Sequence, residues 1–94
     1  MQICVQNDTL QIKGAVTVQT LTASKHQHFV QQCQQSHIQC IDLSGVVRAD
    51  SACIALLLAA LRQRDSGSLK MIGLPESVMA LAKLYEIENW LNIH

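Results

Sequence analysis

The chain is poor in the features that mark most functional classes. Its 94 residues include only three aromatic side chains, Phe29, Tyr85 and Trp90. The core must therefore be aliphatic, and the 49% hydrophobic content supplies it. Charge is also scarce: seven Lys/Arg balance seven Asp/Glu, for a formal net charge of zero. The cations are scattered, so the sequence shows neither the basic face of a nucleic-acid binder nor the cluster that seeks an anionic membrane. The opening MQICVQND lacks the charged and apolar regions of a signal peptide. The longest apolar run, Ala52 to Leu61, is about half the ~20 residues needed to span a bilayer. These absences predict a soluble, cytoplasmic protein. The length predicts one domain over residues 1–94, without repeat or linker, burying roughly 60–65% of its unfolded surface.

Reactive motifs are missing too. The glycines at 14, 45, 67 and 73 form neither GxxxxGK[ST] nor GxGxxG, and there is no GxSxG elbow. The cysteines, Cys4, Cys33, Cys40 and Cys53, show no CxxC spacing. Three lie in apolar-rich segments, which predicts reduced thiols acting as small hydrophobes rather than a disulfide framework. His26, His28, Cys33 and His37 share one stretch. On a helix, however, His26 and His28 stand about 200° apart, and His26, Cys33 and His37 span three turns. Solvated or half-buried histidines are the simpler reading, with no metal and no cofactor.

What is present reads as alternating strands and helices. Residues 2–6 and 9–13 predict a hairpin closed by Asn7-Asp8, with Gly14 and the Thr-rich stretch breaking the pattern. Thr22 to about Gln35 is helix-compatible, with Ala23, Phe29, Val30 and Cys33 toward the core and the glutamines of QHFVQQCQQ in solvent. Ile38 to Leu43 reads as a buried strand. Ser51 to about Arg64 reads as a strong helix, stopped by Asp65-Ser66-Gly67. Ser68 to Ile72 gives a further strand ended by Gly73. Pro75 fits the first turn of a third helix, with Glu76 favourable beside its dipole. Val78, Leu81, Ala82 and Tyr85 fall at i, i+3, i+4 and i+7 as its apolar stripe. The order β-β-α-β-α-β-α, with single helices between the later strands, predicts an α/β domain with a small mixed sheet.

The most informative stretch is IDLSGVVRADSACIALLLAAL, residues 41–61. It passes from a buried strand through a polar loop into ten apolar residues. Asp42 and Asp50 bracket the loop. A strand-end Asp plus a helix cap accounts for them more simply than an acid/base pair. Asp50-Ser51 reads either as an N-cap or as a site, since helix N-termini at the carboxyl ends of strands are where open α/β sheets place ligands and where a phosphate on Ser51 would meet free N–H groups. In the helix, Ile54, Leu57, Leu58 and Leu61 form a core stripe, while Ala52, Cys53, Ala55, Leu56, Ala59 and Ala60 cover the rest. Either the alanines sit harmlessly at the surface, or a partner docks there, with Leu56 the one large residue off the core stripe.

IDLSGVVRADSACIALLL resembles the signature of STAS domains (sulfate transporter and anti-sigma factor antagonist): an apolar strand, a D-L-S/T-G-V loop and a D-S/T-x-G-hydrophobic helix start. Within that family, CIDLSGVVRADSACIALLLAAL and VMALAKLYEIENWL are similar to MlaB-like members, small cytoplasmic STAS subunits of Mla-type phospholipid ABC transporters that help keep outer-membrane lipid asymmetry. The resemblance implies the STAS fold over nearly the whole chain and a non-enzymatic binding role. The implied partner is the transporter's ATPase subunit, in a complex with a membrane permease and a substrate-binding subunit, which would place the domain peripherally at the inner membrane. The family's functional hydroxyl maps to Ser51, and the implied contact comprises Ser44, Val47, Arg48, Asp50, Ser51, Ala52, Ala55 and Leu56. In anti-sigma factor antagonists the same position is the serine phosphorylated by a partner kinase, which is the alternative function. One departure is that Cys53, preceded by Ala52, replaces the usual glycine, predicting a bulkier helix start for a kinase to fit over. The C-terminal NWLNIH, with Trp90, suits either the domain's own core or a partner.

Overall fold

A computed structural model describes residues 1–35, 38–63 and 69–86. The hairpin forms as its turn chemistry dictates. β1 (Gln2–Gln6) pairs antiparallel with β2 (Thr9–Val16), from Gln2 opposite Lys13 to Gln6 opposite Thr9. Asn7 takes the left-handed conformation at φ +57°, which asparagine tolerates better than most residues. β2 does not stop at Gly14. The glycine absorbs a φ of +87° inside the strand, and pairing continues to Val16.

β3 (Cys40–Ala49) lies parallel to β2, and β4 (Lys70–Ile72) lies parallel to the start of β3, giving the sheet order β1-β2-β3-β4. The segment expected as a polar loop from Ser44 is thus the second half of the longest strand. Two register shifts hide it from a period-2 reading. Gln11 pairs with Asp42 but Lys13 with Gly45, and Gly14 pairs with Val46 but Ala15 with Arg48. Each is a β-bulge that adds one residue to β3, the second of them at Val47.

Among the described residues the helices are α1 (Ala23–Cys33), α2 (Ser51–Gln63) and α3 (Glu76–Leu84), so the order β-β-α-β-α-β-α stands as predicted. Thr22 caps α1, its side chain accepting from the Lys25 N–H at 3.3 Å. Phe29 and Cys33 are buried and Val30 packs against the core, but Ala23 is exposed in the first turn. Pro75 is the N-cap of α3 rather than its first helical residue, its carbonyl accepting from the Val78 and Met79 N–H groups. Val78 and Ala82 are buried and Leu81 half-buried, whereas Tyr85, one residue past the helix, is exposed. The helix stop at Asp65-Ser66-Gly67, the strand start at Ser68, Arg64, His37 and the C-terminal NWLNIH lie outside the described residues.

α2 packs between α1 and α3 above the sheet, and this corrects the expected core stripe. Ala52, Cys53, Ile54, Leu56, Leu57, Ala59 and Ala60 are all buried, with Leu56 at 0% exposure, while Leu58 and Leu61 are half-buried. At roughly 100° per residue, the covered arc spans about two thirds of the helix. One narrow line stays open: Ser51, Ala55, Leu58 and Arg62. The domain therefore covers its own apolar helix, because flanking helices bury the alanine side as well as the leucine side. Together with Leu10, Ile12, Val16, Ile41, Leu43, Val46 and Met71 from one sheet face, these residues form the core.

Gly73 ends β4 at φ +68°, and a Cβ there would lie 2.8 Å from the Ser44 backbone nitrogen and Cβ. Gly73→Ala meets both a conformational penalty and a backbone clash. It is expected to cost at least about 2 kcal/mol in urea unfolding, and a cost under about 0.5 kcal/mol would contradict this packing.

Candidate functional site

Asp50 and Ser51 stand where β3 hands over to α2. Asp50 closes the corner with both carboxylate oxygens. Oδ1 accepts from the Ala52 N–H at 2.8 Å, capping α2, and Oδ2 accepts from the Val18 N–H at 3.2 Å. Its own N–H donates to the Val16 carbonyl at 3.3 Å and its carbonyl accepts from Cys53 N–H at 2.9 Å. Asp50 is thus a cap, and beyond that a clasp holding the turn after β2 against the start of α2. This frees Ser51, the first residue of α2, to stand exposed, its hydroxyl without a hydrogen-bond partner among the described residues.

The turn that Asp50 grips is itself braced. The Thr17 N–H donates to Thr20 Oγ1 at 2.9 Å, Thr20 Oγ1 donates to the Ala15 carbonyl at 2.8 Å, and the Leu21 N–H donates to the Thr17 carbonyl at 2.8 Å. The Thr-rich stretch therefore builds a rigid turn carrying Val18 at 70% exposure. Val47, at the second bulge of β3, is 82% exposed. The sequence reading missed Val18. The available signal was a valine set inside the polar TVQT turn.

The expected contact residues separate into three groups. Val47, Arg48, Asp50, Ser51 and Ala55 are accessible at this end of the sheet. Ser44 is exposed but lies six strand positions before Asp50, about 20 Å away at ~3.3 Å per residue. Ala52 and Leu56 are buried, which corrects the expectation that they lie on the surface; the half-buried Leu58 is the large apolar residue on the open line of α2. The expected bulk at Ala52-Cys53 is corrected in the same way. Both side chains are buried in the domain, so neither stands over Ser51.

Alternative chemistries find little support in the geometry. Asp42 accepts from the Ser44 N–H at 2.9 Å, bracing the first bulge, and stands about 25 Å along the strand from Asp50. The two carboxylates do not converge as an acid/base pair. Burial, reinforced by the Asp50 charge, pushes the Cys53 thiol up to about 12, so it stays protonated and inert. Burial also raises Cys40, with Asp42 and Asp8 adding to it. The cysteines form no disulfide among the described residues; Cys4 is exposed and Cys33 and Cys53 are buried. His26 is half-buried, His28 faces Gln32 at 3.3 Å, and no three His, Cys, Asp or Glu side chains come together among the described residues. No helix among them is long and apolar enough to cross a membrane.

Comparison with known proteins agrees with this architecture. A solved structure of the anti-sigma factor antagonist SpoIIAA in its unphosphorylated form is similar in fold, at a TM-score of 0.57 and 12% identity, covering 88% of this chain and 81% of that one. No curated protein matches the sequence. The family model described as "Mlab, STAS domain" matches residues 2–93. The chain belongs to the Mlab-type STAS domain family.

Proposed function

We propose that this chain, as one STAS domain over residues 1–94, is a non-enzymatic subunit that binds the ATPase of an Mla-type phospholipid ABC transporter. It acts there in assembly and regulation, beside a membrane permease and a substrate-binding subunit, at the cytoplasmic face of the inner membrane. The observation that carries this reading is the match of nearly the whole chain to the Mlab-type family. The corner supports it: an accessible Ser51 on a braced scaffold, with Ala55 and Leu58 continuing the open line of α2. Such a surface offers shape and a hydroxyl rather than chemistry, as suits a docking subunit.

Ser51→Glu tests it. A carboxylate there desolvates poorly in an interface, so binding to the purified ATPase subunit is expected to weaken at least tenfold, about 1.4 kcal/mol or more, with unchanged far-UV circular dichroism. Undiminished binding would remove Ser51 from the contact.

A second reading has one specific observation in its favour. Ser51 is exposed at the N-terminus of a 13-residue helix, and the buried Ala52 and Cys53 leave it open to a kinase. As an anti-sigma factor antagonist, the chain would gain one phosphate on Ser51 and release its partner when modified. Intact mass after incubation with ATP and the cognate kinase decides: an unchanged mass removes this reading.

A further inference from the structure

Two valines near the Asp50 corner, Val18 and Val47, are held out to solvent on braced supports. Val18 rides on a turn braced by several hydrogen bonds among Thr17, Thr20 and Leu21 and tied down by Asp50 Oδ2. Val47 is the extra residue of a bulge in the third strand of the sheet. Bulges re-aim side chains, and this one directs a valine outward. Both lie within about 10 Å of Asp50, counting strand positions and its bond to Val18. Apolar groups already fixed in place lose little entropy on binding, which is what an interface anchor requires.

Exposed charge beside them comes from the basic side chains Arg48 and Lys25. Arg48, next to Val47, is exposed and makes no ion pair among the described residues. Lys25 reaches the Met1 carbonyl at 3.2 Å, beside Gly14, which pairs with Val46. The N-termini of α1 and α2 open at this same end, and neither first turn holds an acidic residue, unlike that of α3 with Glu76. Asp50, the one carboxylate at the corner among the described residues, has both oxygens engaged internally.

Resting on the ATPase-binding reading above, we propose that the partner's surface is an apolar socket with an acidic rim. The socket takes Val18 and Val47, and carboxylates on its rim face Arg48 and Lys25. The docking surface thus extends from α2 across the end of the sheet to the turn after β2.

Titration of this protein against the purified ATPase subunit tests the proposal. Val18→Ser, Val18→Asp and Val47→Asp are each expected to weaken binding at least tenfold while far-UV circular dichroism is unchanged. Arg48→Glu should slow association, and wild-type affinity should fall severalfold between about 50 and about 300 mM NaCl. If Ser51→Glu abolishes binding while the valine variants and salt leave it unchanged, the socket is wrong and the ATPase reading survives. If the wild-type protein does not bind the ATPase at all, both fall together.

Discussion

Leu56→Glu is expected to abolish folding of the isolated domain. The side chain is fully buried in the layer between α1 and α3. Truncating such a leucine alone costs about 2–5 kcal/mol, and burying a carboxylate in its place adds a further desolvation penalty. The total stability of a chain of this length is on the order of 5–14 kcal/mol, so the substitution consumes most or all of it. Leu58→Glu, two residues on and half-buried on the open line of α2, is the matched control and should cost about 1 kcal/mol or less. Urea unfolding followed by circular dichroism separates them. A cooperative transition for Leu56→Glu within about 1 kcal/mol of wild type would mean that α2 does not sit between its neighbours as described.

Asp50→Ala carries the second large effect, because one side chain serves two elements. It removes the cap on the Ala52 N–H and the tie to the Val18 N–H together. Hydrogen bonds to a charged group contribute about 1.5–3 kcal/mol each, and lost caps alone about 0.5–2 kcal/mol, so a loss of about 2–4 kcal/mol is expected. Asp50→Asn retains one acceptor oxygen and can keep only one of the two bonds. It should fall between wild type and alanine, at about 1–2 kcal/mol. The two variants also differ at the surface. With the Val18 tie broken, faster exchange of the Val18 amide should accompany weaker partner binding, even where the fold persists. Equal unfolding midpoints for Asp50→Ala and wild type would refute the clasp.

The element order was legible because it rests on local chemistry: Asn7 in its turn, the Asp50 cap before α2, Gly73 at the end of β4. The second half of β3 was not. Its bulges at Ser44 and Val47 break the alternation by which a strand is recognised, and Gly45 resembles a loop residue. The orientation of α2 was also beyond a single-helix pattern. Leu56 and Leu58 are equally apolar, and only the positions of α1 and α3 decide which is buried. The Asp50 cap was legible from the sequence, since an Asp ahead of an apolar helix carries the cap signature. The clasp to Val18 joins residues 32 positions apart and required the fold.

The most direct measurement is to purify the tagged protein from its own host in mild detergent and identify its stable companions. An ABC ATPase recovered together with its membrane permease, and lost on Ser51→Glu, is the expected result. Recovery of a small kinase-like anti-sigma factor, with no transporter subunit, would contradict the transporter assignment and make Ser51 a phosphorylation site.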